Sequence, residues 1–163
     1  MIWKFYLLFI AALFSLTAFS QKVKVVGIAD GDSFTALFAD HATQRIRLHG
    51  IDCPERGQPF SNNAKQFTSS QIFGKEVFLK QTDTDRYGRM VALVYLPDSS
   101  LLNEKLLSAG LAWHFLRYDR NPQWSIKEKE ARSKKLGLWA GSENPIEPWL
   151  WRKRKPFLQT SQN

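Results

Sequence analysis

The chain has 163 residues, a length that suits one domain built on one hydrophobic core rather than two. Its apolar fraction of 44% excludes disorder throughout, its one cysteine excludes an internal disulfide, and three scattered histidines with no Cys/His pair at ligand spacing argue against a zinc site. A formal net charge of +8 and an isoelectric point near 9.7 suit a polyanionic partner, because Lys and Arg release counterions from a phosphate backbone; an indifferent basic surface is the other reading.

In chain order, residues 1–20 read as a secretory signal peptide. Lys4 supplies a short positive region and residues 5–14 an apolar run. Ala18 and Ser20 put small side chains at the −3 and −1 positions of a cut before Gln21. The run is shorter than the ~20 residues of a bilayer span. An uncleaved anchor holding a cell-surface scaffold is the alternative.

Val23, Val25 and Ile28 open the first strand, which reaches a turn at Asp30-Gly31-Asp32. Residues 33–38 follow, with Phe34, Ala36 and Phe38 on one face. A hairpin turn is expected at Asp40 and His41. Residues 44–51 form a third strand, alternating Arg45, Arg47 and His49 against Ile46 and Leu48. After a loop at Pro54 and Gly57, a helix carries Phe60, Ala64, Phe67 and Gln71 and closes at Gly74. Strands around Val77–Leu79 and over residues 89–96 flank a turn at Asp85 and Gly88. Ser100 is expected to cap a short helix that Gly110 closes, and Asn121 caps another that starts at Pro122 and stops at Gly137. Short strands with tight turns, a helix between them and two helices after them predict an α+β fold, a small antiparallel barrel with helices packed at one end.

Four segments carry chemistry. The two carboxylates of Asp30-Gly31-Asp32 can face one hard cation, or form an ordinary Asp-Gly turn. Arg45-Ile46-Arg47 is either a solvated strand face or a guanidinium poised over phosphate, for which the planar fork of Arg is suited. In Asp52-Cys53-Pro54-Glu55 two acids lie three residues apart across a proline bend, so that one can bind metal while the other handles a water; a polar loop is the alternative. Asp85-Arg86-Tyr87-Gly88-Arg89 is a turn with basic ends, or the carrier of a second arginine. Together these residue types match the needs of phosphodiester cleavage: an activated water and neutralised charge on the phosphate oxygens.

Ala29-Asp30-Gly31-Asp32-Ser33, residues 47–55 and residues 85–89 resemble the staphylococcal nuclease (thermonuclease) family, over about residues 23–140. The resemblance implies a five-stranded OB-fold barrel with three packed helices, occupying residues 21–145, followed by a basic aromatic tail over residues 146–163. It implies a secreted or periplasmic, calcium-dependent endonuclease, a monomer acting on DNA and RNA and leaving 3′-phosphate ends, with no stable membrane association after signal cleavage. Asp32 and Asp52 match the direct calcium ligands, the Cys53 carbonyl another, and Asp30 an acid acting through metal-bound water. Glu55 matches the residue beside the attacking water, and Arg47 and Arg89 the two arginines that grip the phosphate. Tyr87 and Tyr118 match positions near the bound nucleotide. Leu116 stands where the family has a second pocket tyrosine, and Cys53 where it has a threonine. The segment Pro148-Trp149-Leu150-Trp151-Arg152 has no counterpart in the staphylococcal protein; it is expected to pack on the barrel, or to stack and bind phosphate. Family domains that lack the catalytic residues serve as non-catalytic nucleic-acid-binding modules. The full set of Asp32, Arg47, Asp52, Glu55 and Arg89 favours the enzyme.

Overall fold

A computed structural model describes residues 20–141 and 144–159. The signal peptide expected at the N-terminus therefore lies outside the described residues, apart from Ser20.

Among the described residues, seven strands and four helices follow in the order β1 (Gln21–Ile28), β2 (Ser33–Leu37), β3 (Thr43–Leu48), β4 (Ile51–Asp52), α1 (Ser61–Ile72), β5 (Glu76–Thr84), β6 (Met90–Tyr95), α2 (Leu102–Ser108), β7 (Trp113–His114), α3 (Pro122–Ser133) and α4 (Pro148–Gln159), with a 3-10 turn at Gly137–Ala140 before α4. Five strands close a barrel in the order β1-β2-β3-β6-β5, and β4 pairs with β7 outside it. All barrel neighbours run antiparallel except β3 and β6, which pair in parallel with Arg47 opposite Val91. This is the α+β OB-fold expected from the sequence.

Alternation builds the barrel. Val23 and Val25, Phe34 and Ala36, Ile46 and Leu48, Val77 and Leu79, and Ala92 and Val94 all point inward and are buried. Each large side chain so buried contributes roughly 1.5–3 kcal/mol. The helices close one end. Ala64 and Ile72 of α1 and Leu102, Leu106 and Leu107 of α2 join the same core cluster.

The barrel is not wholly antiparallel as expected, since β3 and β6 are brought side by side by a crossover and pair in parallel. Four other expectations also need correction. The third strand does not continue to Ile51. It ends at Leu48, because Gly50 takes a positive φ of 67° and turns the chain into β4. A Cβ at Gly50 would lie 2.6 Å from Asp119 Cβ and 2.7 Å from the Trp124 ring, so close packing as well as the turn requires glycine there. Ser100 does not cap α2; Leu101 holds that position, and the Ser100 hydroxyl and N–H both donate to Asp98 Oδ1, at 2.5 and 2.9 Å. The last expected helix does start at Asn121, whose side chain accepts from the Gln123 N–H, but it ends at Ser133 rather than Gly137. The C-terminal segment, expected as a tail, is a fourth helix.

Candidate active site

The first acid turn sits between β1 and β2. The N–H groups of Ala29 and Asp30 both donate to the Ser33 carbonyl, at 3.0 and 3.2 Å, which brings Asp30 and Asp32 onto one small turn. Gly31 lets this turn press on α1. A Cβ there would meet Ala64 Cβ at 2.7 Å and Cys53 Cβ at 2.9 Å, and the Gly31 carbonyl accepts from the buried Thr68 hydroxyl at 2.5 Å. The turn is thereby clamped against the loop that carries the second pair of acids.

Arg47 links the two. It lies opposite Ser33 in the β2–β3 pairing, so its guanidinium reaches the turn directly. Nη1 forms an ion pair with Asp32 Oδ1, and Nη2 one with Asp52 Oδ1 at 2.7 Å while also donating to the Ile51 carbonyl at 3.3 Å. Asp32 is 5% exposed and Asp52 1% exposed. Two carboxylates this deeply buried need such partners. Asp32 also accepts the Cys53 N–H on Oδ2 at 2.7 Å and the Ser33 hydroxyl on Oδ1 at 3.2 Å.

The electrostatics separate the three aspartates. Burial alone would raise Asp32, but the charge and hydrogen bonds of Arg47, with the Cys53 N–H, hold it below the usual carboxylate range. Burial and the neighbouring Asp32 charge push Asp52 up against the pull of Arg47 and Arg152. Asp30 is pushed up to about 7, chiefly by burial and then by the Asp32 charge. Burial likewise raises the Cys53 thiol, so its side chain stays a neutral packing group and not a thiolate.

Glu55 lies on the loop after β4. Its N–H donates to Gln58 Oε1 at 2.7 Å, and the Gln58 N–H donates back to the Glu55 carbonyl at 2.8 Å. The side chain of Gln58, 6% exposed, also donates from Nε2 to the Ile146 carbonyl at 3.0 Å, tying this loop to the lead-in of α4. From the first turns of α4, Arg152 spans both acids. Nη2 meets Asp52 Oδ2 at 2.8 Å, and Nη1 meets Glu55 Oε1 at 2.5 Å. Trp149, one turn earlier, stacks on Phe115 with centroids 4.7 Å apart and planes 8° apart.

Arg89 and the tyrosines stand apart from this centre. Arg89 immediately precedes β6, and its Nε pairs with Asp85 Oδ2 at 2.6 Å. That bond, with the Arg89 and Tyr87 N–H groups, holds Asp85 low despite partial burial. Tyr87 is 69% exposed and lies under Arg86 and Arg89, while Tyr118 is 62% exposed and packs edge-on against Phe115. Leu116 is also exposed. The structure thus brings Asp30, Asp32, Arg47, Asp52 and Glu55 together, and leaves Arg89, Tyr87 and Tyr118 on the surrounding surface. A cavity of about 620 Å³ beside α2, lined by Phe67, Tyr95, Leu101 and Glu104 among others, shares no residue with the acids.

Sequence reasoning missed Gln58 and the meeting of Arg152 with the acids, and also a partly buried linkage beneath the Tyr118 loop. Asp119 accepts from or pairs with His49 Nε2 at 3.2 Å and His114 Nε2 at 3.0 Å, and the other ring nitrogens face Thr82 and Ser125 hydroxyls at 2.9 Å. His114 N–H donates to Glu128 on α3. This network ties the loop over residues 115–121 to the barrel. Only the Trp149-to-Arg152 spacing, behind a proline suited to a first helical position, could have signalled the helix that delivers Arg152.

Among the described residues no group of three or more His, Cys, Asp or Glu is arranged to hold a metal ion. The donor chemistry nevertheless fits a hard cation. Asp32 and Asp52 already converge on one positive group, Asp30 adjoins them, and every donor is oxygen.

A closed OB barrel with arginine-bridged acids at its turns defines the class of this protein by fold and site. Comparison with known proteins narrows it. Residues 45–141 match the model of the family described as staphylococcal nuclease homologue. The chain is similar to an uncharacterised endonuclease of Escherichia coli O157:H7, 38% identical over 132 residues that cover 81% of this chain and 85% of that one. It is similar to a micrococcal nuclease of Shigella flexneri, 37% identical over 140 residues covering 80% and 79%. A probable staphylococcal-like nuclease of Oryza sativa subsp. japonica is 42% identical over 111 residues, 68% of this chain and 33% of that one, so the chain spans about a third of this longer plant protein. The chain belongs to the staphylococcal nuclease homologue family.

Proposed function

We propose that this chain is a calcium-dependent nuclease, exported from the cell, that hydrolyses phosphodiester bonds in DNA and RNA and leaves 3′-phosphate ends. The observation that carries the reading is the meeting of Asp32, Arg47 and Asp52 at hydrogen-bond distance, with Glu55 beside them. A pure binding barrel has no need to bury two carboxylates at the same point as an arginine, where they repel the phosphate it must grip. Endonuclease and micrococcal nuclease relatives support the same reading.

Asp32, Asp52 and the Cys53 carbonyl would hold the calcium, with Asp30 acting through a bound water. The ion would supply positive charge against the phosphate oxygens. Glu55 orients a water and takes its proton as the water oxygen bonds to phosphorus. The bond from phosphorus to the 5′ oxygen breaks, that oxygen keeps the bonding pair and takes a proton from solvent water, and the phosphate stays on the 3′ side. Arg47 and Arg89 neutralise charge growing on the equatorial oxygens. Tyr87 and Tyr118, exposed on the surface around the centre, would offer faces to nucleotides away from the cleaved bond.

The test is a metal titration on single-stranded DNA, using protein recovered outside the cytoplasm with Gln21 as its first residue. Calcium is expected to support cleavage and magnesium only weak turnover, with products that a polymerase extends only after phosphatase treatment. Robust cutting in magnesium with calcium rigorously excluded would contradict the calcium requirement, and directly extendable ends would contradict the stated bond.

A further inference from the structure

We infer that Arg152 is a positioning residue of the active site, which holds the Glu55 carboxylate beside Asp52 and thereby sets where the attacking water is bound. The inference rests on the nuclease reading of the site. It comes from a contact between the first turns of α4 and acids about 100 residues earlier in the chain.

Asp52 and Glu55 flank Pro54, and as like charges they repel. Asp52 is fixed, since it is buried and bound by Arg47. Glu55 is not fixed by its own surroundings. Its side chain is 33% exposed, and among the described residues Arg152 is the one hydrogen-bond partner of its carboxylate. A guanidinium presents parallel donors in a rigid plane, and here that plane reaches Glu55 with Nη1 and Asp52 with Nη2. Without it the Glu55 carboxylate regains its rotamers and swings away from Asp52.

The placement of Arg152 is itself built in. Gln58 receives the Glu55 N–H on Oε1 and holds the Ile146 carbonyl with Nε2, so one buried amide registers both the catalytic loop and the lead-in to α4. Pro148 is buried, and Trp149 lies flat on Phe115 three residues before Arg152. The guanidinium therefore arrives on a docked helix rather than a loose tail, which is the condition for a side chain to position another.

The test compares the wild-type enzyme with Arg152→Ala, Arg152→Lys and Trp149→Ala, at saturating calcium on a short single-stranded oligonucleotide. Thermal unfolding serves as the check that each variant is folded. Arg152→Ala is expected to lower kcat about tenfold or more while KM stays within about twofold, because a misplaced water costs rate and not binding. Arg152→Lys recovers part of the loss, and Trp149→Ala reproduces it with the arginine still present. Calorimetric titration of calcium alone gives a readout apart from turnover: Arg152→Ala binds calcium several-fold more tightly, since a competing cation has left Asp52. An unchanged kcat overturns the inference. A raised kcat would make α4 a strap that blocks the site, and a loss confined to KM would make Arg152 a phosphate ligand; either outcome also overturns it. A wild-type enzyme that binds calcium but never cuts would instead sink the nuclease reading, and the calcium titration of Arg152→Ala would still report whether the guanidinium holds the acids.

Discussion

Asp30 shows how the site spends stability on chemistry. Its carboxyl is pushed up to about 7, by burial first and the Asp32 charge second, from an ordinary value of 3.8. Because the folded value lies above the unfolded one, the favourable neutral form is fully present below about pH 4 and is lost as pH rises through 7. Asp30→Asn keeps the side chain neutral at every pH. In the absence of metal, the variant should match the wild type in thermal unfolding near pH 4. At pH 8 it should be more stable by roughly 1–3 kcal/mol. Equal stability at both pH values would mean that Asp30 is not held in an unfavourable charged state. The acids and Arg47 were singled out in the sequence by the resemblance of three motifs together, since each segment alone read equally as a turn, a polar loop or a solvated strand face. The turn and the β2–β3 pairing that put Asp32 and Asp52 on one guanidinium join separate segments and have no local signal. Arg152 was not legible, because no local pattern says which acid a guanidinium 97 residues away from Glu55 will meet.

At the scale of elements, the barrel strands followed from alternation, and the errors fell where a single residue redirects the chain. Gly50 is the clearest. It divides one expected strand into β3 and β4, and the Phe115 N–H donates to its carbonyl at 2.8 Å, so the same residue anchors the loop that carries Tyr118. Gly50→Ala would force a Cβ into Asp119 at a positive φ. A cost of about 2 kcal/mol or more is expected, together with displacement of that loop and a KM for oligonucleotides raised more than kcat is lowered. Unaltered melting temperature and KM would refute that role. Helix α4 escaped the sequence reading because four consecutive basic residues, 152–155, give no apolar period at its centre. The contacts that dock its first turn, Trp149 on Phe115 and buried Pro148, are long-range and leave no periodic stripe. The Ser100 expectation failed for a competing local bond, since Asp98 takes both donors that a cap would have used differently.

For the whole molecule, the net charge of +8 now has a setting. The acids are buried and bridged by arginines at one place on the barrel, so the remaining excess of Lys and Arg is left to meet a polyanion. No described helix is long and apolar enough to cross a membrane. The fold and the family follow from the barrel topology and the match over residues 45–141. The central claim is that this centre performs hydrolysis rather than binding alone. The measurement that tests it most directly is cleavage of single-stranded DNA by the domain from Gln21 onward, with calcium and then with excess chelator, beside Glu55→Gln and Arg47→Ala. The account predicts calcium-dependent cutting that chelator abolishes and that both variants reduce by about a hundredfold or more. Nucleic-acid binding without cutting by the intact protein in calcium would contradict it.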